Sequence, residues 1–219
     1  MRGHLGATSD MVTPVVDAML REDVDDEVTS AALAFLINLA TEAPRRVPEA
    51  IINSRAPDIL LKIVFSGRAD VRAEAACLIA LLVANPEYRR HMSLLTGRSG
   101  DQTFNICRAL STALVAKDSI TDARAKTGAY DTRSAACAAL VYLARFGGLS
   151  ELAYAMAVGD QEIKVEAAAA LAHVAADVNE RDNVVGIPGL VANLVEMIVL
   201  ANDTRSRLSS LSVSHEISL

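Results

Sequence analysis

The stretch "IPGLVANLVEMI" (187–198) places a proline directly before a short apolar run. Similar phrases occur twice earlier in the chain, as "TPVVDAML" at 13–20 and "APDILLKIV" at 56–64. The prolines of the first two phrases are 43 residues apart, and the third follows after 131 residues, close to three such intervals. Proline is favourable in the first turn of a helix, where its missing N–H costs nothing. The recurrence therefore predicts a helix that is repeated along the chain.

Four alanine- and leucine-rich segments recur at a similar spacing. They begin at Asp25, Ala69, Tyr130 and Asp160, with acidic or polar residues that suit a helix N-terminus. The apolar pairs on which they end are separated by 43, 61 and 31 residues, which predicts an insertion in the middle unit and a compressed unit after it. These pairs are Leu39-Ala40, Leu82-Val83, Leu143-Ala144 and Val174-Ala175.

An arginine stands six residues after three of these pairs, as Arg46, Arg89 and Arg181, whereas the compressed unit has Ser150 there. A shared register favours a structural role, such as hydrogen bonding to the carbonyl groups at a helix C-terminus. A basic stripe for phosphate or an acidic peptide is the alternative.

The pattern resembles the armadillo repeat, whose unit of about 42 residues has a short first helix and two longer ones. "INLA" at 37–40 is similar to the end of that family's third helix, and "IPGLVANLVEMI" is similar to its proline-led second helix. HEAT repeats are the near neighbour. The aromatic fraction is only 4%, with no Trp, which also favours close-packed helices over sheets.

The resemblance implies an all-α fold, a right-handed α-α superhelix (armadillo-type solenoid) of about four to five repeats. We expect residues 1–219 to form a single array that belongs to a longer one. Its predicted units are 1–24 (partial), 25–68, 69–129 (with insertion), 130–159 (compressed), 160–201 and 202–219 (partial or tail).

In this family the third helix of each unit lines a concave groove, so the resemblance implies partner contacts at its exposed positions. Five residues fall at these positions by register, and their side chains can hydrogen-bond an extended backbone or stack on a partner side chain. The alternative is that these side chains cap or solvate helix ends. At Asn85 the proline that follows favours this alternative. The candidate groove contacts are Asn38, Asn85, Tyr142, Arg145 and His173.

Armadillo importins hold extended basic peptides with an asparagine just before the apolar pair and a tryptophan four residues earlier. At the first of these positions this chain keeps one asparagine, Asn38. Without aromatic platforms, lysine stems have no surface on which to stack, so we do not expect recognition of nuclear-localisation peptides by that mechanism. The tryptophan positions hold Ala34, Cys77, Ala138 and Ala169.

Two polar, glycine-bearing stretches at 96–102 and 117–131 interrupt the repeat. They flank one predicted apolar helix, "TFNICRALSTALVA", at 103–116. Loops on a regular scaffold often make specific contacts, and a plain insertion is the alternative.

The net charge of −6 and the pI of about 5.2 create no field that would attract nucleic acid or an anionic membrane. We expect no membrane insertion, since the longest uncharged stretch is too short to span a bilayer. The four histidines are scattered, and no metal-ligand, nucleophile or phosphate-loop motif is found. We therefore expect no catalysis, cofactor, metal or small-molecule substrate. The three cysteines form no C-x-x-C pair, which suits a reducing compartment.

The sequence thus predicts a non-catalytic protein–protein interaction scaffold, with a structural subunit of a large eukaryotic assembly as the favoured version. A soluble adaptor that binds peptide segments in its groove is the alternative. An enzyme or small-molecule binder on the same scaffold is a third hypothesis, and it would require a convergent polar cluster. We expect an intracellular location in the cytoplasm, cytoskeleton or cilium, with an organelle as the alternative.

Overall fold

The computed structural model describes residues 10–21, 24–116 and 132–200. In these ranges the chain forms twelve α-helices, one 3-10 helix (Ala144–Phe146) and a hairpin of strands β1 (Thr96–Ser99) and β2 (Gln102–Asn105). The helices are α1 (Val12–Met19), α2 (Asp26–Glu42), α3 (Arg46–Ile52), α4 (Ala56–Ser66), α5 (Ala69–Ala84), α6 (Pro86–Ser93), α7 (Ile106–Val115), α8 (Thr132–Tyr142), α9 (Gly148–Val158), α10 (Gln161–Ala175), α11 (Val178–Val185) and α12 (Leu190–Leu200).

The helices stack in two layers. In the layer that we call the third helices, α2 packs on α5, α5 on α8, and α8 on α10. In the layer of second helices, α4 packs on α7, α7 on α9, and α9 on α12. The two layers also pack on each other, as α4 with α5, α7 with α8, and α9 with α10. The short helices α3, α6 and α11 precede a second helix, and we call them the first helices.

Local sequence signals explain where the helices begin. Asp25, Asn85, Asn105 and Asp160 each accept a hydrogen bond from a backbone N–H in the first turn of the following helix, as N-cap residues do. Pro57 lies in the first turn of α4, which confirms the predicted role of that proline. The last proline-led phrase differs, because its helix α12 begins only after a turn.

The core between the layers consists mainly of leucine, isoleucine and alanine. Leu36, Leu60, Leu78 and Ile79 have no exposed surface, and burying such a side chain contributes roughly 1.5–3 kcal/mol. Alanines with no exposed surface in α8 and α10, such as Ala139, allow neighbouring helices to approach closely.

The compressed unit lacks a full first helix. The chain passes from α8 to α9 through the three-residue 3-10 helix and Gly147, whose φ of +103° favours glycine. A Cβ atom on Gly148 would lie 2.1 Å from the carbonyl oxygen of Leu140, so the start of α9 packs directly on the backbone of α8. Ser150, at the register of the repeated arginines, lies in α9 and not in a first helix. The unit boundaries themselves stay a prediction.

The prediction of one helix at 103–116 is wrong for its first three residues. Residues 96–99 and 102–105 pair as an antiparallel hairpin, and the glycine at its tip, Gly100, has a φ of +59°. The ring of Phe104 is buried and stacks on Phe65, with 3.8 Å between the ring centroids. Asn105 then caps α7 by accepting a hydrogen bond from the backbone N–H of Arg108 at 2.9 Å. The stretch 117–131 lies outside the described residues.

No helix within the described ranges is both long enough and apolar enough to cross a bilayer.

Candidate protein-interaction groove

One register presents an exposed side chain in each of the four third helices that the structure describes. Asn38, Leu81, Tyr142 and His173 are all exposed, and each is followed directly by a buried apolar residue. Because α2, α5, α8 and α10 pack in succession, these four side chains form a row across the layer. We call this row the ladder.

A second row lies one helical turn before the ladder. It consists of Ala34, Cys77, Ala138 and Ala169, which are half-buried or exposed. Residues four apart are neighbours on one helix face, so these small side chains lie beside the ladder. We call them the floor. Because these side chains are small and none is aromatic, the surface between the ladder residues is apolar and does not protrude.

The floor cysteine is not an activated thiol. Burial, and secondarily the negative charge of Glu74, raises the pKa of Cys77 to about 11. A thiol that stays protonated is a weak nucleophile and a poor metal ligand. Cys77 therefore acts as a small apolar side chain in the floor.

The repeated arginines bind helix ends. Arg89 donates from Nε to the carbonyl oxygen of Val83 at 2.8 Å and from Nη2 to that of Ala84 at 3.2 Å. Arg181 donates from Nε to the carbonyl oxygen of Ala175 at 3.3 Å. Val83 and Ala175 are equivalent positions of the repeat, so the predicted structural role is confirmed for these two arginines.

Asn85 lies at the junction of α5 and α6. Its Oδ1 accepts a hydrogen bond from the backbone N–H of Glu87 at 3.0 Å, which makes it the N-cap of α6. This is the alternative role that the sequence favours for Asn85. A contact between Asn85 and a partner stays a prediction.

Arg145 lies outside the ladder, in the 3-10 helix after α8. It forms an ion pair with Glu180 of α11, whose side chain is only 7% exposed. The pKa of Arg145 is raised, first by this hydrogen bond and then by the charge of Glu180. Asn183 donates from Nδ2 to the other oxygen of Glu180 at 3.0 Å, so the buried carboxylate is well satisfied. No pattern in the sequence predicts that Glu180 is buried, because it is a glutamate in a helix with few apolar residues.

Ion pairs join neighbouring third helices at their N-terminal ends. Arg68 Nε lies 3.5 Å from Asp26 Oδ2, and Arg133 contacts Asp160 at 3.5 Å and also Glu162. Exposed pairs of this kind contribute roughly 0–1 kcal/mol. They link each third helix to its neighbour without adding much stability.

No protein-family model and no curated protein sequence matches the chain. An engineered protein from a structural genomics consortium superposes with a TM-score of 0.59 at 22% identity, over 95% of this chain and 79% of that one. A designed armadillo repeat protein in complex with the peptide (KR)4 gives a TM-score of 0.58 at 19% identity, over 97% of this chain and 82% of that one. A second designed armadillo repeat protein gives 0.54 at 20% identity, with the same coverage.

The chain has an armadillo-type fold. The predicted all-α, right-handed superhelix is thereby confirmed. At these identities the similarity concerns the fold alone. The ladder and the floor belong to the layer of third helices, and a concave groove lined by them stays a prediction. Within the described part of the chain, no group of three or more His, Cys, Asp or Glu residues is arranged to hold a metal ion.

Proposed function

We propose that the chain is a non-catalytic protein–protein interaction scaffold that binds a partner polypeptide in its concave groove. The observation that supports this proposal is the ladder, with one exposed side chain at the same register of four neighbouring helices. Asn38 and His173 offer hydrogen bonds to an extended backbone at the two ends of the row. Leu81 and Tyr142 offer apolar and aromatic surface in its middle.

The chemistry of the groove favours a partner with small or apolar side chains. The floor is apolar and lacks the aromatic platforms on which lysine stems would stack. The peptide (KR)4 is bound by a designed armadillo repeat protein, and we expect this chain to bind that peptide weakly. A partner segment with a leucine or valine against Leu81 suits the surface better.

The experiment is affinity isolation from the native source with quantitative mass spectrometry, comparing wild type with the double variant Tyr142→Ala, His173→Ala. We expect the variant to lose its specific partners while its helical circular dichroism stays unchanged. The matched control is His91→Ala, Leu94→Ala, which removes a histidine and a large apolar residue, both exposed, outside the ladder. Equal partner recovery by wild type and the ladder variant would refute the groove proposal.

A permanent place in a larger assembly is the second version of this function. Val191, Val195 and Val199 are spaced four residues apart on α12 and are 56%, 52% and 70% exposed. An exposed apolar stripe of this kind favours a surface that a stable neighbour covers. Partners recovered at equal stoichiometry and resistant to salt would support a structural subunit, whereas many substoichiometric partners that share a short motif would support an adaptor.

We further propose an intracellular, reducing compartment. Cys77, Cys107 and Cys137 are free thiols, and the last two are buried, which supports a protein that does not rely on disulfides. Fractionation of cells that express the tagged chain would test the location.

A further inference from the structure

A pocket of about 800 Å³ opens beside the 3-10 helix of the compressed unit. One wall is a face of α9 that includes Ser150, Tyr154 and Ala157. The opposite wall is the end of α11 and the turn that leads to α12, with Asp182 and Pro188. We call this pocket the trough. It belongs to the first and second helices, whereas the groove belongs to the third helices.

The trough lies where the repeat lacks an element. In the two preceding units the first helix packs on the third helix before it and on the second helix after it, as α3 does on α2 and α4, and α6 on α5 and α7. These first helices have seven and eight residues, and α11 has eight. Between α8 and α9 only three residues form a helical turn. The surface of α9 that a first helix would cover is therefore open.

The first helices of the other units show what this surface accepts. Each turns one face toward the core with two residues spaced four apart, which places both on the same side of the helix. The pairs are Val47 and Ile51 in α3, Tyr88 and Met92 in α6, and Glu180 and Val184 in α11. A short helix with such an anchoring pair is thus the element that this array itself uses at equivalent places.

The charges of the trough favour a basic occupant. Asp182 is exposed at the rim. The cation of the trough, Arg145, already forms an ion pair with Glu180. The net contribution of these side chains is therefore negative, and a lysine or arginine beside the anchoring pair would complement it. Ala153 and Ala157 are small, which leaves room for the anchors.

We propose that the trough binds a two-turn amphipathic helix of a partner protein, which completes the compressed unit. The partner helix presents an apolar pair, spaced four residues apart, to Ala153 and Ala157, and a basic residue to Asp182. This site is separate from the groove, so two partners can bind at once.

The test uses three synthetic peptides with the sequences of the chain's own first helices, residues 45–53, 85–94 and 177–186. Each is cross-linked on its outward face, since isolated helices this short are marginal in water. The peptides from α3 and α6 each carry two arginines, so we expect both to bind better than the peptide from α11. For the peptide from α6 we expect one per chain, with a Kd of about 100 µM or tighter. Replacing its Tyr88 and Met92 by alanine should weaken binding at least about tenfold.

Variants of the protein locate the site. Ala157→Tyr fills the trough from an exposed position and should weaken peptide binding at least about tenfold, and Asp182→Asn should weaken the peptide from α6 about threefold or more. The matched control is Ala169→Tyr, an exposed alanine of the groove floor, which should leave peptide binding unchanged. Failure of all three peptides to bind at about 1 mM, or an equal loss from Ala169→Tyr, would overturn the proposal. The groove proposal is tested independently, because native partners held there should respond to Ala169→Tyr and not to Ala157→Tyr.

Discussion

The guanidinium carbon of Arg89 lies 5.2 Å from the ring centre of Tyr142. Arg89 belongs to the first helix of the predicted unit 69–129 and Tyr142 to the third helix of the next predicted unit, beyond the hairpin and α7. The same guanidinium donates to the carbonyl oxygens of Val83 and Ala84 at the end of α5. An exposed cation–π contact contributes roughly 0.5–1 kcal/mol, and hydrogen bonds from a charged donor contribute about 1.5–3 kcal/mol. Arg89 therefore mainly caps the C-terminal end of α5, and it also orients the ladder residue Tyr142.

Replacing Arg89 by lysine should lower the free energy of unfolding by about 1–2 kcal/mol. A lysine ammonium is a point charge, and it cannot bind two carbonyl groups and lie flat over an aromatic ring as a guanidinium does. Urea denaturation followed by circular dichroism would measure the loss. Arg90→Lys is the matched control, because Arg90 is exposed, and it should change stability by less than about 0.5 kcal/mol. Equal effects at the two positions would contradict the assigned role.

The ladder register can be tested with adjacent substitutions in α2. Leu39 is buried and Asn38 is exposed. Leu39→Asp should destabilise the protein by at least about 3 kcal/mol, because it places a carboxylate in the core without a partner. Asn38→Asp should change the free energy of unfolding by no more than about 0.5 kcal/mol. Thermal melts of both variants decide the register, and a Leu39→Asp melt like that of the wild type would show it to be wrong.

The hairpin should owe its position to Phe104. Its ring stacks on Phe65 of α4 and covers Gly97, where a Cβ atom would lie 2.6 Å from the ring carbon Cζ. Phe104→Ala should therefore cost about 3 kcal/mol of stability. Thr103→Ala, at an exposed neighbouring position of β2, should cost less than about 1 kcal/mol. Denaturant midpoints of the two variants would measure the difference, and similar midpoints would mean that the ring does not anchor the hairpin.

The helical array was predictable from the sequence because its signals are local and repeat. A proline at the start of a helix, a polar cap and an alanine stripe each act within a few residues, and their recurrence fixes the register of Leu39 or Val174 without knowledge of distant contacts. The exposure of Tyr142 and His173 follows from the same register, since each precedes a buried residue.

The hairpin and the trough were not predictable, because they depend on contacts between segments far apart in sequence. "TFN" at 103–105 has no pattern that distinguishes a strand from the start of a helix, and the stacking on Phe65 decides it. The compressed spacing did indicate that the unit before Asp160 is short. It could not indicate whether the missing first helix leaves an open surface, which depends on where the end of α11 lies.

The thiols should resist alkylation in the folded protein. Burial raises the pKa of Cys107 to about 12 and that of Cys77 to about 11. The folded state therefore keeps both thiols protonated to higher pH than the unfolded state does, and the stability that this provides falls as the pH rises above about 9, the ordinary value for a thiol. At pH 8 the thiolate fraction of Cys77 should be about 100-fold lower than that of an unperturbed cysteine, with iodoacetamide labelling slowed by a similar factor.

Peptide mass spectrometry after timed labelling at pH 8 would measure this rate for native and urea-unfolded protein. The matched control is Ala138→Cys, which introduces a thiol at the equivalent floor position of another unit, where the residue is exposed. That thiol should react faster than Cys77 in the same folded sample, because less of its surface is desolvated. If Cys77 reacts as fast in the folded protein as in urea, the floor at that position is open to water and is not the apolar surface on which the proposed partner segment depends.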